Sequence, residues 1–387
     1  MVFKLIKLAI FFIIFPMMAI PFLYVKIPPI YQIVFTLLLP IAFFKIFKTK
    51  KLKKEIFYKL CACVVFVWYL FFIGSQITQV CSILFYILII LFIRYNYSFL
   101  IFSNEDKICK MLLLVYIITL VICGFQVFYY YFFGGVKLIP DFVYLTSGIY
   151  SQVLNNPVSG WNESFRPNAF YAEPSFLGFF LCMYMSFILD REEKYRYIIL
   201  IFNILFLYIL GIRSGFVVLF LVSIYDISAK FLSEGFVKKL FFVFVFASVL
   251  LLYYFFDNIK LFSDASRSID ASTYERLSLL VSGIEVFSDN IILGIGLGNL
   301  KEYIVQNGLY DGGVANVGNL YVQLLAESGL IGMGIMILIL WRVYNFNRSF
   351  LCLLLSFFFV GGYSLFYMFL IPLFSTIFKT KKYESSF

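Results

Sequence analysis

Long apolar blocks separated by short charged ones dominate this chain. A membrane span needs about 20 apolar residues to cross about 30 Å of hydrocarbon. On that rule spans fall near 5–25, 29–47, 56–74, 77–93, 111–133, 172–189, 197–212, 214–229, 240–256, 320–341, 349–362 and 363–378. The blocks 197–227 and 349–378 are each about 30 residues, too long for one upright helix and short for two. Reading both as hairpins predicts twelve spans; a single tilted helix at the end predicts eleven. The first block follows Lys4 and Lys7 and runs on to Val25, so it reads as an uncleaved span rather than a signal peptide. Two polar stretches, 134–169 and 257–319, interrupt the series.

Composition removes the soluble alternative. Hydrophobic residues make up 63% of the 387 residues and charged residues 13%, which no water-soluble domain of this length needs. Aromatics reach 22%, beyond what interfacial belts use, so many rings must face lipid or fill helix interfaces. The expected fold is therefore all-α and polytopic, a single integral membrane domain over 1–387.

Charge then orients it. With the N-terminus inside, twelve spans leave eight of the 31 basic residues outside: Lys26, Lys137, Arg166, Arg213, Lys260, Arg267, Arg276 and Lys301. The rest lie in inner loops and tails, as the positive-inside rule demands. Both termini are expected in the cytoplasm and both polar stretches outside. The net charge of +10 is thus an orientation signal, not a nucleic-acid stripe. No strong internal repeat is visible, which weakens a transporter reading.

The chemistry available is narrow. There is no histidine, so imidazole bases are excluded and a zinc site is disfavoured. The seven cysteines lie in or beside apolar blocks and read as small buried hydrophobes. No Asp-x-Asp pair offers the usual metal clamp for a nucleotide-sugar donor. No metal and no cofactor are expected. What remains on the outer face is a set of lone arginines. Permanently charged, fork-shaped donors suit an anionic group, diphosphate above all.

Four constellations carry those residues. In the first, Arg166 precedes Glu173 and Pro174, and Pro174 suits the first turn of the sixth span. Glu173 at that lip is either a helix cap or a paired, catalytic carboxylate. In the second, Arg213 sits at the outer tip of the 197–227 hairpin between Gly211 and Gly215, either snorkelling to lipid phosphate or binding a ligand. The third runs through Asp264, Arg267, Asp270 and Glu275 to Arg276, which opens an amphipathic stretch over 277–287. That stretch is expected on the membrane surface or against the bundle, and Arg276 there is either solvated or a ligand. The glycines 294, 296 and 298 follow no βαβ pattern, so they predict a tight loop re-entering the interface rather than a nucleotide site. In the fourth, Asn319, Gln323 and Glu327 recur every four residues, with Tyr321 among them. On a straight tenth span Glu327 would lie on the order of 10 Å below the interface. There it is a structural pair or a functional carboxylate. Gly329 and Gly332 would admit a close helix neighbour.

Together these stretches resemble the O-antigen polymerase and O-antigen ligase superfamily of bacterial envelope glycosyltransferases. The resemblance runs from Arg166 to Leu340: the Arg166–Glu173–Pro174 segment, the Arg213 hairpin, Arg276 with the glycine loop, and Asn319 followed by Gly329 and Gly332. It implies a C-type glycosyltransferase-like fold with two long periplasmic loops bearing short amphipathic helices, in a bacterial inner membrane. It implies a substrate of oligosaccharide repeat units on undecaprenyl diphosphate. Arg166, Arg213, Arg276 and Glu173 would then be catalytic: the arginines on the diphosphate, and Glu173 as base, with Glu327 or Asp270 next. Arg267, Asn319, Tyr321, Gln323 and Glu327 would bind substrate. The implied partners are membrane lipid and a flippase and chain-length regulator of the same pathway, with no nucleic acid. In the ligases a histidine precedes the asparagine position, and here Gly318 stands instead. That departure favours polymerase over ligase; a flippase of lipid-linked sugars is the more distant alternative.

Overall fold

A computed structural model describes residues 1–11, 34, 36–41, 64–133, 167, 169, 171, 174–190, 196–209, 212–231, 236, 239, 243, 271–309, 317–359 and 367–384. All regular structure among them is helical. Residues 64–72 form one helical stretch. The others are α1 (Val2–Phe11), α2 (Ile77–Asn96), α3 (Ser98–Phe102), α4 (Glu105–Phe132), α5 (Pro174–Asp190), α6 (Arg196–Ile209), α7 (Arg213–Phe231), α8 (Ala271–Asp289), α9 (Leu300–Gln306), α10 (Leu320–Val343), α11 (Arg348–Ser356) and α12 (Tyr367–Glu384). Helices α2, α4 and α10 are long and apolar enough to cross a membrane, and shorter apolar helices include Phe176–Asp190, Leu200–Ile209, Ser214–Tyr225 and Phe369–Phe378. The spans expected near 29–47 and 240–256 lie largely outside the described residues.

Both long apolar blocks divide. Block 197–227 becomes α6 and α7, joined where the Ile212 amide donates to the Leu207 carbonyl at 3.0 Å. Block 349–378 becomes α11 and α12. The amphipathic stretch at 277–287 lies within α8, which packs on α10 with Gly283 against Val322.

Helix α5 is the hub. It is apolar all round, and every residue from Leu177 to Leu189 is buried, as such a helix requires. Apolar side chains gain little from leaving lipid for a protein interface, so such bundles hold by close packing and polar contacts. Both are present. Gly178 of α5 meets Gly215 of α7 with their backbones in contact: a Cβ built on Gly215 would lie 3.1 Å from the Gly178 Cα. The Cys182 thiol reaches the Gly215 carbonyl at 3.0 Å.

At the far end of α5, Asp190 ties down three helices. Its carboxylate accepts from the Arg348 amide at 3.0 Å, the Ser349 amide at 3.2 Å, and the Ser349 and Ser375 hydroxyls at 2.8 and 2.7 Å. The Arg348 guanidinium stands 3.6 Å away. Asn347 completes the cap by accepting from the Phe350 amide at 2.8 Å. These bonds satisfy the orphan donors at the start of α11 and fix the depth of α5 against α11 and α12.

The straight tenth span is corrected by the structure. Helix α10 breaks at Gly329, whose φ is 61° and ψ −169°. A straight helix of its 24 residues would be about 36 Å long. Instead the two ends come together: the Leu320 amide donates to the Phe357 carbonyl at 2.8 Å. The Phe357 ring lies 5.8 Å from that of Phe369. The Tyr344 hydroxyl donates to the Phe369 carbonyl at 3.0 Å. Leu320 and Leu324 line the same apolar cavity as Leu340 and Val343. The helix folds back on itself with Gly329 at the apex.

Candidate functional site

Two centres emerge from the residues singled out above. The first lies where α5 and α7 begin. Gly178 sits against Ile212 and Gly215, while Cys182, one turn on, reaches Gly215 and the Leu219 backbone. Those pairings advance together, so the two helices run parallel and start at one end. Pro174 opens α5 and Arg213 opens α7. Parallel helix starts place two sets of helix-terminal amides and two positive dipole ends side by side, an arrangement that favours an anion. Only glycine at 178 and 215 permits so close an approach. Arg166, Glu173, Arg267 and Asp270 lie outside the described residues.

Between Arg166 and Glu173, Ala169 and Tyr171 are described. Ala169 is fully buried and has φ 48°, a left-handed conformation unusual for a residue with a Cβ. Gln126, near the end of α4 and 1% exposed, grips its backbone twice. Its Oε1 accepts from the Ala169 amide at 2.8 Å, and its Nε2 donates to the Ala169 carbonyl at 3.3 Å. Tyr171 is also fully buried, its ring 5.5 Å from Phe180 of α5. Ala169 is thus held against α4 and Tyr171 against α5.

The second centre is the apex of α10. A break in a membrane helix frees amides and carbonyls that must find partners. The glycine loop supplies them. The Ile295 and Gly296 amides donate to the Ala326 and Glu327 carbonyls at 3.1 and 2.8 Å. The Leu330 amide donates to the Ile291 carbonyl at 2.9 Å. The Tyr69 hydroxyl closes the set on the Ser328 carbonyl at 2.7 Å. The loop also meets residues 73–76: the Gln76 amide donates to the Leu297 carbonyl at 2.9 Å, and the Leu297 amide to the Ser75 hydroxyl at 2.8 Å. The three glycines therefore belong to a loop docked into a helix break, and the Gly294 and Gly296 amides are spent on the Asn290 and Glu327 carbonyls.

The polar face of α10 points inward. Asn319, Gln323 and Glu327 are all buried, at 8%, 6% and 1% exposure. Asn319 is the N-cap, accepting from the Tyr321 and Val322 amides at 3.0 and 3.1 Å. Tyr321 donates its hydroxyl to the Leu354 carbonyl at 2.7 Å. Glu327 accepts from the Leu300 amide at 3.4 Å, where α9 begins. The depth expected for Glu327 assumed a straight helix and does not carry over to a folded-back one. Arg276 is exposed on α8, about 10 Å along the helix from the Gly283 contact.

Sequence reasoning passed over Gln126, Asp190 and Tyr69. Gln126 did leave a signal: a single amide inside an apolar run, which inside a membrane always needs a partner. Asp190 and Tyr69 left none, because their partners lie far away in sequence.

Residues 197–337 match the family model described as O-antigen ligase. The match supports the O-antigen ligase and polymerase superfamily, and with it a glycosyltransferase-like enzyme acting on lipid-linked polysaccharide in a membrane. It takes in Arg213, Arg267, Arg276 and Glu327, and begins after Arg166 and Glu173. It does not separate polymerase from ligase. Among curated proteins none matches the chain.

Proposed function

We propose that this protein is a polymerase of lipid-linked oligosaccharide repeat units, working at the outer face of a bacterial inner membrane. The observation that carries the reading is the paired start of α5 and α7, with Arg213 at its lip inside the matched region. Two dipole ends and a guanidinium suit the charge that develops on a leaving diphosphate. The donor is a growing chain on undecaprenyl diphosphate. Its sugar C1–O–P bond breaks, and the electron pair leaves on the diphosphate oxygen. The acceptor is a sugar hydroxyl of the incoming unit; its oxygen bonds to C1, and its proton passes to a carboxylate, Glu173. Arg166 and Arg276 add charge to the diphosphate pocket. Arg267 holds the glycan, whereas Asn319 and Tyr321 are buried and spent on backbone partners.

A ligase that moves the finished chain to a lipid A core is the second reading, favoured by the name of the matching family. The absence of any histidine from the chain favours polymerase. Deletion of the gene, with gel analysis of surface polysaccharide, separates them. Single-repeat product is expected, restored to full ladders by the wild-type gene and not by Arg213→Ala. Complete loss of polysaccharide from the core would make the protein a ligase. Unaltered ladders would remove it from this pathway.

A further inference from the structure

We infer that the first turns of α1 and α4 together form a site for an anionic phospholipid, with its phosphate on Lys7 and Lys107 and an acyl chain laid along α4. Helices α1 and α4 pack together, and two lysines, one from each, converge on a single ring. The Lys7 ammonium stands 5.8 Å from the centroid of Phe3, and the Lys107 ammonium 5.9 Å from the same centroid. Each contact is the attraction of a cation for an aromatic face. Sharing one ring also gathers two like charges, which repel each other. Lys4 and Lys110 add to the excess, each one turn away on its own helix. Glu105 and Asp106 share the first turn of α4, but among the described residues no ion pair joins either to these lysines. Lys107 gives one of its three donors to the Asn104 side chain at 3.3 Å. A phosphate diester supplies the opposite charge, and its two unesterified oxygens can accept from two ammoniums at once.

A free anion would suit the charges equally well; the surroundings select a lipid. Helix α4 is long and apolar enough to cross a membrane, so its charged first turn lies where hydrocarbon gives way to headgroups. Beyond Lys110, on the same face of α4, come Leu113, Leu114 and Ile117, exposed at 44%, 44% and 47%. On α1, Leu8 follows Lys4 by one turn and is exposed at 44%. A cationic head followed by an aliphatic stripe on one helix face matches the two halves of a phospholipid. Lysine stems lie along apolar surface and carry their ammoniums to the interface, which is the level of a lipid phosphate. Inorganic phosphate would use the lysines and leave the stripe idle.

Native mass spectrometry of the full-length protein, released from micelles holding equal amounts of phosphatidylglycerol and phosphatidylcholine, reads retention directly. The wild-type protein should keep phosphatidylglycerol in preference to phosphatidylcholine by about 10-fold, as two lysines beside an anionic headgroup predict. Lys7→Gln combined with Lys107→Gln should abolish that preference. Phe3→Leu keeps an apolar side chain but removes the ring face that gathers the ammoniums, so the preference should fall about 3-fold. This single variant carries the measurement should the double variant fold poorly. Inorganic phosphate in large excess should leave the bound lipid in place. An unchanged preference in both variants would overturn the inference. Displacement by phosphate would make the patch a free-anion site instead. Unchanged lipid retention with loss of a co-purifying acidic protein would assign the lysines to a protein partner and overturn it equally.

Discussion

At the scale of single residues, the burden falls on few side chains, because the chain offers little catalytic chemistry. Without histidine, a proton acceptor must be a carboxylate. Glu173 distinguishes its two readings sharply. As a helix cap beside Pro174 it tolerates glutamine, at a cost of about 1 kcal/mol at most and with activity intact. As the base it does not: Glu173→Gln keeps shape and removes the proton acceptor, so the rate should fall about 10²–10⁴-fold with expression unchanged. The product would be a polysaccharide of single repeat units. Full-length chains from the Gln variant would return Glu173 to capping, and Glu327 would be the next base to test. At this scale the sequence was informative about residue type and silent about engagement. The arginines and Glu173 stand out in the sequence as isolated charges expected at one face. That Tyr321 spends its hydroxyl on Leu354 became visible only when distant backbone was in place.

At the scale of elements, apolar periodicity located helices but not their breaks. Both blocks of about 30 residues are divided into two helices, which their length alone left open. The run through 320–341 looked like one span, yet Gly329 folds it back. Nothing local enforces that fold: Gly329 permits a left-handed backbone, and the break persists because the glycine loop takes up the freed amides and carbonyls. A Cβ at 329 would collide with the Ile292 carbonyl and would also strain φ 61°. Gly329→Ala should therefore cost about 2 kcal/mol or more. Thermal unfolding in detergent should register it as a midpoint lower by several degrees. Gly334, with nothing within 4 Å of its Cβ position, is the matched control, and Gly334→Ala should be neutral or slightly stabilising. Equal midpoints for the two variants would contradict the folded-back helix.

At the scale of the whole molecule, the clustering of polar sequence at one end is the feature on which function turns. The basic asymmetry predicts that this end lies outside. Cysteines placed at Ser151 and Thr49, in a background lacking the native seven, test it directly: the first should react with an impermeant thiol reagent in intact cells and the second should not. Labelling at Thr49 alone would invert the orientation and withdraw the site from a periplasmic substrate. The sequence by itself determined the solvent and the helical class, because lipid imposes its length rules on each segment separately. Only the tertiary structure decided that α5 and α7 start side by side at a glycine contact, that Gln126 holds Ala169, and that α10 turns back at Gly329. Those are agreements between residues from 31 to 259 positions apart. Local hydropathy carries no trace of such partners, since a glycine, an amide or a tyrosine reads the same in sequence whether or not its complement waits across the bundle.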